Sequence, residues 1–517
     1  MGMLALMSTL SARRRRRHQI RARGRRRSSV GKRKKDVIID GDVSPGAKRL
    51  RYSEMHLPED IWGHIHSLMP LRDAARTACV SRAFSQSWRS HPNLNFTNKS
   101  ILCSDSNGCG MDLIGTINRV LENHSGINVK TLTLELLDHK NALRRRLDSW
   151  LEIAMSPGIE EITISLGFHG RATYKFPCRL LSDRITNSVR CLKLQHCVFC
   201  PTAKLGPFRS LAMLRFSKVR ITGYRLGCIL SNSLALESLE LNSCDKLDCL
   251  KIPCQLQRLS YLKVLLCQRL YAIEIKAPNL RVFILDTEKV TEVSLGVPVK
   301  LKMLYINSPD IAGYTDSRLL SNVPDLESLN LQSWCQVAAS PLMLPVKFVH
   351  LKEFNLSLTG QGVSGAYDYF SLASLLDCCP SLENIFLNVS HKCIGHETMS
   401  EDPARQRQKM PGQQQQHGNL KSVTILGFCY AKSLVELTCY IVEKAAPSLE
   451  SLTLDIHGTH LVSVSGIVMR PMYEGKFEEA PRTLSAIRTY IQGKIPSTAK
   501  LNVLEPCGGP CNAVVGQ

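Results

Sequence analysis

Cys197 and Cys200 stand with two residues between them, a spacing at which two thiolates can hold one side of a tetrahedral zinc site. No second pair of matching spacing follows, so the ligand set is incomplete and Cys197 is expected to pack in a core instead. Cys507 and Cys511 are separated by Gly508-Gly509-Pro510, one residue more than the redox motif allows. The sequence holds no nucleophile elbow, no zincin helix and no phosphate-cradling glycine loop. Its 15 histidines are scattered without a pairing pattern. The residues therefore point to no catalytic group, no metal and no cofactor, and the chain is expected not to be an enzyme.

The densest chemistry is cationic. Residues 1–52 hold 17 of the 66 Lys+Arg against Asp36, Asp40 and Asp42, so +14 of the formal +22 sits there. The clusters Arg13–Arg17, Arg25–Arg27 and Lys32–Lys35 have the pattern of a nuclear localisation signal. The absence of acidic residues before Asp36 also suits an organelle transit peptide, and a cytoplasmic protein with a weakly functional extension is the plain alternative. Residues 1–52 lack apolar periodicity and are expected to be a disordered tail. Any nucleic-acid contact through them would be nonspecific and salt-sensitive, because no aromatic residue precedes Tyr52 to stack on bases. No apolar run approaches the roughly 20 residues of a membrane span, so no membrane partner is expected. Met3–Leu10 precedes the positive charges, the reverse of a secretory signal, and twenty cysteines over this length suggest reduced thiols.

The elements that position side chains are repeats. The pattern apolar-x-x-apolar-x-apolar recurs at Val189/Leu192/Leu194, Leu236/Leu239/Leu241, Leu259/Leu262/Val264, Leu280/Phe283/Leu285, Leu301/Leu304/Ile306 and Leu326/Leu329/Leu331. It continues at Leu351/Phe354/Leu356, Leu382/Ile385/Leu387, Leu420/Val423/Ile425 and Leu449/Leu452/Leu454, with looser copies from Val129, Ile159 and Leu211. One such coil cannot bury its apolar side chains alone, whereas stacked coils can, their strands about 4.8 Å apart in a parallel sheet. Cys197, Cys244 and Cys267 each follow the last apolar position by three residues. The motif resembles a leucine-rich repeat, which implies an α/β solenoid, a horseshoe of parallel strands with helical or irregular arcs. Met111–Asn123, Leu143–Ala154, Tyr367–Cys378 and Ser433–Ala446 read as helical arcs. Half-period copies at Leu247/Leu250/Ile252, Leu270/Ile273/Ile275 and Val290/Val293/Leu295 predict a second short strand per coil in that stretch. The domain plan is a tail at 1–52, a helical module at 54–98, repeats at 111–505 with a low-complexity loop at 391–418, and a C-terminal tail at 506–517.

Residues 54–91 read EMHLPEDIWGHIHSLMPLRDAARTACVSRAFSQSWRSH. Pro58 suits a helix start, Ile61, Ile65, Leu68 and Met69 form one stripe, and Pro70 ends that helix. Asp73 is expected to cap a second helix bearing Ala74, Ala75 and Ala78, and Ser81 a third with Phe84 and Trp88 on one face. So small a module cannot bury this stripe by itself, and physics alone suggests completion by a partner. The order Leu57-Pro58, Ile61/Ile65, Leu68-x-Pro70-Leu71, Val80-Ser81 and Trp88-Arg89 resembles the F-box. The F-box followed by irregular repeats is similar to a large plant F-box/leucine-rich-repeat group, a likeness spanning residues 54–505. The resemblance implies a non-catalytic receptor of an SCF-type cullin ubiquitin ligase. Its F-box would dock on an acidic Skp-class adaptor, and through it on a cullin, by Leu57, Pro58, Ile61, Ile65, Leu68, Pro70, Leu71, Val80, Ser81 and Trp88. Its repeats would hold an unknown target protein. The alternative is a nuclear nucleic-acid-associated scaffold with a vestigial F-box.

In each repeat strand the residue between the last two apolar positions points away from the core. That row runs Thr133, Thr163, Lys193, Arg215, Glu240, Lys263, Ile284, Tyr305, Asn330, Asn355, Phe386, Thr424 and Thr453. Lys193, Arg215 and Lys263 would steer an acidic segment, and Ile284, Tyr305 and Phe386, taken as exposed, would anchor the target.

Overall fold

The computed structural model describes residues 58–77, 79, 88–97, 113–136, 144–167, 174–201, 206–288, 292–296, 300–309, 311, 318–333, 344, 346–359, 367–390, 416–456, 460–463, 466–469 and 476–505. The chain falls into two compact units, Met1–His169 with Arg179–Leu192 and Gly170–Cys178 with Lys193–Gln517. Among the described residues no helix is long and apolar enough to cross a membrane.

In the first unit, α1 (Glu59–Ser67) and α2 (Leu71–Thr77) precede β1 (Asn93–Phe96). Strands β2 (Thr131–Leu136) and β3 (Glu161–Leu166) extend β1 in parallel, pairing Asn95 with Thr133 and Thr133 with Thr163. The expected helical arcs form as Leu113–Asn123 and Arg144–Ala154, joined by a Trp150 Nε1 hydrogen bond to Asn118 Oδ1 of 2.6 Å. Strand β4 (Cys191–Gln195) carries the boundary between the units.

The second unit continues with β5 (Met213–Ser217), β6 (Ser238–Asn242), β7 (Cys249–Ile252), β8 (Tyr261–Leu265), β9 (Ala272–Ile275), β10 (Val282–Asp286) and β11 (Glu292–Leu295). Beyond them lie β12 (Met303–Ser308), β13 (Ser328–Ser333), β14 (Glu353–Thr359), β15 (Asn384–Ser390), β16 (Ser422–Leu426) and β17 (Ser451–Asp455). A hairpin, β18 (His460–Ser463) with β19 (Gly466–Met469), precedes β20 (Lys500–Leu504). The main sheet is parallel in the order β5-β6-β8-β10-β12-β13-β14-β15-β16-β17-β20. This is the leucine-rich-repeat solenoid that the motif predicts. The apolar residues of the motif copies, such as Leu301, Leu304 and Ile306, are buried.

The half-period copies form a second parallel sheet, β11-β9-β7, with Leu250, Ile252, Ile273 and Ile275 buried. Helix Gly223–Ser231, capped by the Thr222 side chain, presses on this sheet's edge. A Cβ at Gly223 would lie 2.3 Å from the Cys249 carbonyl oxygen, so only glycine fits there.

Two regularities organise the coils. After β4, β5, β6 and β8 the chain turns through a left-handed residue: His196, Lys218, Ser243 and Leu266, with φ of 59°, 52°, 51° and 50°. The following residue, Cys197, Val219, Cys244 or Cys267, is thereby driven into the core. At the strands' other end, the residue after each motif's first leucine stacks on its counterpart through backbone hydrogen bonds. Lys302, Glu327, Lys352, Glu383, Lys421 and Glu450 thus form a ladder of alternating charge.

Some local readings need correction. Asp73 does not cap α2 but lies in its first turn, paired with Arg76 at 3.4 Å, because Pro70 already opens the helix as carbonyl acceptor for the Asp73 and Ala74 amides. Residues 391–415 of the expected loop lie outside the described residues; its described end, 416–418, is irregular as expected but not open to solvent throughout. His417 is buried and its Nε2 sits 2.5 Å from the Leu376 carbonyl.

Candidate functional site

The first candidate surface is α1. Pro58 opens it without a side-chain cap, its carbonyl accepting from the Ile61 and Trp62 amides at 3.1 and 3.2 Å. Ile61, Ile65 and Leu68 fall at i, i+4 and i+7, one stripe of a helix face, and are 41%, 36% and 74% exposed. Pro58 and Pro70 flank them, also exposed. These five of the ten F-box residues form an apolar surface. Leu71 and Trp88 do not join it, because both are buried, at 7% and 5% exposure, so their part is to hold the helices. Leu57, Val80 and Ser81, with Ala78 and Phe84, lie outside the described residues.

Beneath this surface lie three histidines that sequence spacing gave no means to group. His66 Nε2 meets Thr77 Oγ1 at 3.2 Å, and His91 Nε2 meets the Met69 carbonyl at 3.0 Å. His124 Nε2 lies 3.0 Å from the His91 carbonyl, and its Nδ1 accepts the Gly126 amide at 3.0 Å. A carbonyl only accepts, so His91 and His124 must each donate from Nε2. Burial lowers all three below the ordinary histidine value, more than the carbonyls around His91 and His124 raise theirs, and the charge of His91 lowers His66 and His124 further. The neutral forms bind α1, α2, β1 and helix Leu113–Asn123 into one body.

The second candidate surface is the outward side of the main sheet in the second unit. Strand register aligns the expected row in one line: Arg215, Glu240, Lys263, Ile284, Tyr305, Asn330, Asn355, Phe386, Thr424 and Thr453. Asn502 of β20 extends it. Lys193 on β4 is half-buried. The character of the row differs from the expectation, because Ile284 and Tyr305 are each only 6% exposed. Tyr305 donates to Gln332 Oε1 at 2.8 Å, and burial together with the Asp286 charge raises its phenol above the ordinary value. Burial also raises the Asp286 carboxyl, against a hydrogen bond from Asn307. On the other flank Arg215 and Glu240 pair at 2.5 Å. Burial and the Glu240 charge raise the Tyr261 phenol, partly offset by Arg215. Asn355 donates to Asn330 at 2.6 Å, and Phe386 is half-buried.

Sequence reasoning followed only the middle residue of each strand. Register shows that the residue two earlier shares the face, giving Tyr261, Val282 and Met303 side by side and half-buried next to Lys263. The period of two contained this signal. Among the described residues no group of three His, Cys, Asp or Glu side chains is arranged to hold a metal.

The F-box domain family matches residues 55–96, and the At1g61320/AtMIF1 LRR domain family matches residues 120–508. Three Arabidopsis thaliana proteins are similar. F-box/FBD/LRR-repeat protein At1g13570 is 25% identical over 315 residues, covering 58% of this chain and 67% of its own. F-box protein At5g03100 is 25% identical over 253 residues, covering 47% and 75%. F-box/LRR-repeat protein At5g02910 is 24% identical over 431 residues, covering 77% and 87%. Among solved structures, an internalin from Listeria monocytogenes aligns with 54% of this chain and 82% of its own at 15% identity, with a TM-score of 0.29. With more than half of its length matched, the chain belongs to the At1g61320/AtMIF1 LRR-domain family and carries an F-box ahead of that domain.

Proposed function

We propose that this chain is the substrate-recognition subunit of an SCF-type cullin ubiquitin ligase, contributing no catalytic residue of its own. The observation that carries the reading is the Ile61/Ile65/Leu68 stripe, exposed on a helix that turns His66 inward. Exposed aliphatics in a line on so small a module suit docking on the Skp-class adaptor. The F-box match and the F-box/LRR names of the relatives support the same role. The target protein belongs on the outward side of the main sheet, where Lys263 offers a cation beside Tyr261, Val282 and Met303, with Lys193, Arg215 and Phe386 along the same side.

The test is co-expression of the full chain with a Skp-class adaptor. Replacing Ile61, Ile65 and Leu68 together by alanine is expected to weaken adaptor binding by more than roughly 30-fold, since an interface anchor is commonly worth about 2 kcal/mol or more. Unchanged co-purification would remove the ligase reading. The basic clusters of residues 13–35 support nuclear placement, and a reporter fused to residues 1–52 that accumulates in plastids or mitochondria would refute it.

A further inference from the structure

The Cys197-x-x-Cys200 motif finds a different partner in the fold. The segment Tyr174–Cys178 lies along the coil that follows β4. Lys175 bridges Val198 in parallel, the Phe176 amide donates to the Val198 carbonyl at 3.0 Å, and the Val198 amide donates to the Tyr174 carbonyl at 2.7 Å. Phe176 and Phe199 pack with tilted rings, centroids 5.5 Å apart, and Phe199 packs likewise against Phe216 at 5.4 Å. Cys178 opens a short 3-10 turn at the end of this segment, and the Cys200 amide hydrogen-bonds to its sulfur, which sets the two cysteines side by side.

A guanidinium reaches Cys200, while the Lys175 charge acts on Cys178. Arg225, on helix Gly223–Ser231, points Nη1 at Cys200 Sγ at 2.9 Å. This charged hydrogen bond orients the Cys200 sulfur at the face it shares with helix Gly223–Ser231. The Cys178 thiol is held above its ordinary value by burial, although the Cys200 amide hydrogen-bonds to it. Both cysteines are half-buried, while Cys197 is fully buried.

We propose that Cys200 and Cys178 are a peroxide-reactive thiol pair, Cys200 attacking first and Cys178 resolving to a disulfide. The Cys200 sulfur attacks one oxygen of hydrogen peroxide, the O–O bond breaks, and the departing hydroxide leaves as water with the proton lost from Cys200. Cys178 then attacks the sulfenic sulfur, the S–O bond breaks, and that hydroxide leaves as water with the proton from Cys178. Two thiols are oxidised by two electrons and one peroxide is reduced to two waters. The bond ties the Tyr174–Cys178 segment covalently to its coil.

Cys79, Cys228 and Cys254 are exposed and serve as internal controls in the full-length protein. Limiting hydrogen peroxide, followed by iodoacetamide and unreduced peptide mapping, is expected to give a Cys178–Cys200 linked peptide before those three cysteines are oxidised. C197S keeps the link and C200S abolishes it. C178S leaves a sulfenic acid on Cys200 that dimedone traps, and this holds the test open should the linked form prove hard to recover. R225Q slows the reaction about tenfold, equivalent to about 1.4 kcal/mol. Oxidation of the exposed controls first, or a link that survives C200S, overturns the assignment.

Discussion

Ile61, Ile65 and Leu68 of the F-box stand open to solvent, whereas Ile284 and Tyr305, on outward positions of repeat strands, are covered. Sequence periodicity marks both sets as lying on one side of their element, but the geometries differ. Along the helix the stripe's described neighbours are the residues of its own turns. On a sheet each outward side chain has neighbours on both adjacent strands, so Ile284 is flanked by Lys263 and Tyr305, and Tyr305 by Ile284 and Asn330. A large side chain in a row of large side chains buries itself. Outward position therefore indicates availability on the helix but not on the crowded part of the sheet.

The largest effects should separate covered from open residues. Trp88→Ala and Tyr305→Ala each empty a buried aromatic site and are expected to cost about 3–5 kcal/mol. Leu68→Ala and Lys263→Glu should change stability by about 0.5 kcal/mol or less while acting on adaptor and target capture respectively. Urea titration of the four variants reads this directly. If Tyr305→Ala proves as mild as Leu68→Ala, Tyr305 returns to the exposed surface and the contrast falls.

Much of this was legible in the sequence. The apolar motif placed the main strands, the half-period copies placed β7, β9 and β11, and the period of two placed the outward row. What stayed hidden depends on neighbours distant in sequence. The burial of Ile284 and Tyr305 follows from register between coils, and the His66–His91–His124 contacts join residues with no periodic relation. The left-handed turns before Cys197, Cys244 and Cys267 were hidden for another reason. Three of them use His196, Ser243 and Leu266 where glycine would have announced the turn.

Acid should distinguish the two regions next. His66, His91 and His124 are held below the ordinary value of 6.5, so the unfolded chain binds protons more readily than the folded one. Stability from the neutral forms is complete above pH 6.5 and is lost as pH falls below it toward the lowered folded values. Hydrogen exchange at pH 7.5 and pH 5.5 should show protection falling in α1, α2 and β1 more than in β13–β17. Equal loss in both would mean that the histidines do not govern the F-box side.

A smaller effect, of opposite sign, belongs to the coil turns. Leu266 is exposed and holds a φ of 50°, a conformation costly for a side chain with a Cβ. Leu266→Gly should raise stability by about 0.5–1 kcal/mol, the relief of that strain exceeding glycine's entropic cost. A lowered melting temperature would show that the Leu266 side chain contributes packing that its exposure conceals.

The smallest effect tests whether the sheet's edge, unlike its face, is specified by charge. Glu383 lies 4.0 Å from Lys352 and 3.1 Å from Lys421, with its side chain 31% exposed. Lys302 and Glu327 pair at 2.9 Å in the same ladder. Each pair is solvated and worth little alone, about 0.2–1 kcal/mol. Their order matters more than their sum, because a coil displaced by one place would put like charges together. E383K sets three cations in a row. The double swap E383K/K421E restores attraction between those two positions, but it also brings an acidic group against Glu450 and keeps the clash with Lys352. The swap should therefore recover only part of the loss, with a coupling between the two positions of about 0.5 kcal/mol at low salt. Raising salt to roughly 1 M, where screening acts within about 3 Å, should erase that coupling. A double-mutant cycle that finds no coupling at low salt would leave the alternation of lysine and glutamate along the ladder without an energetic role.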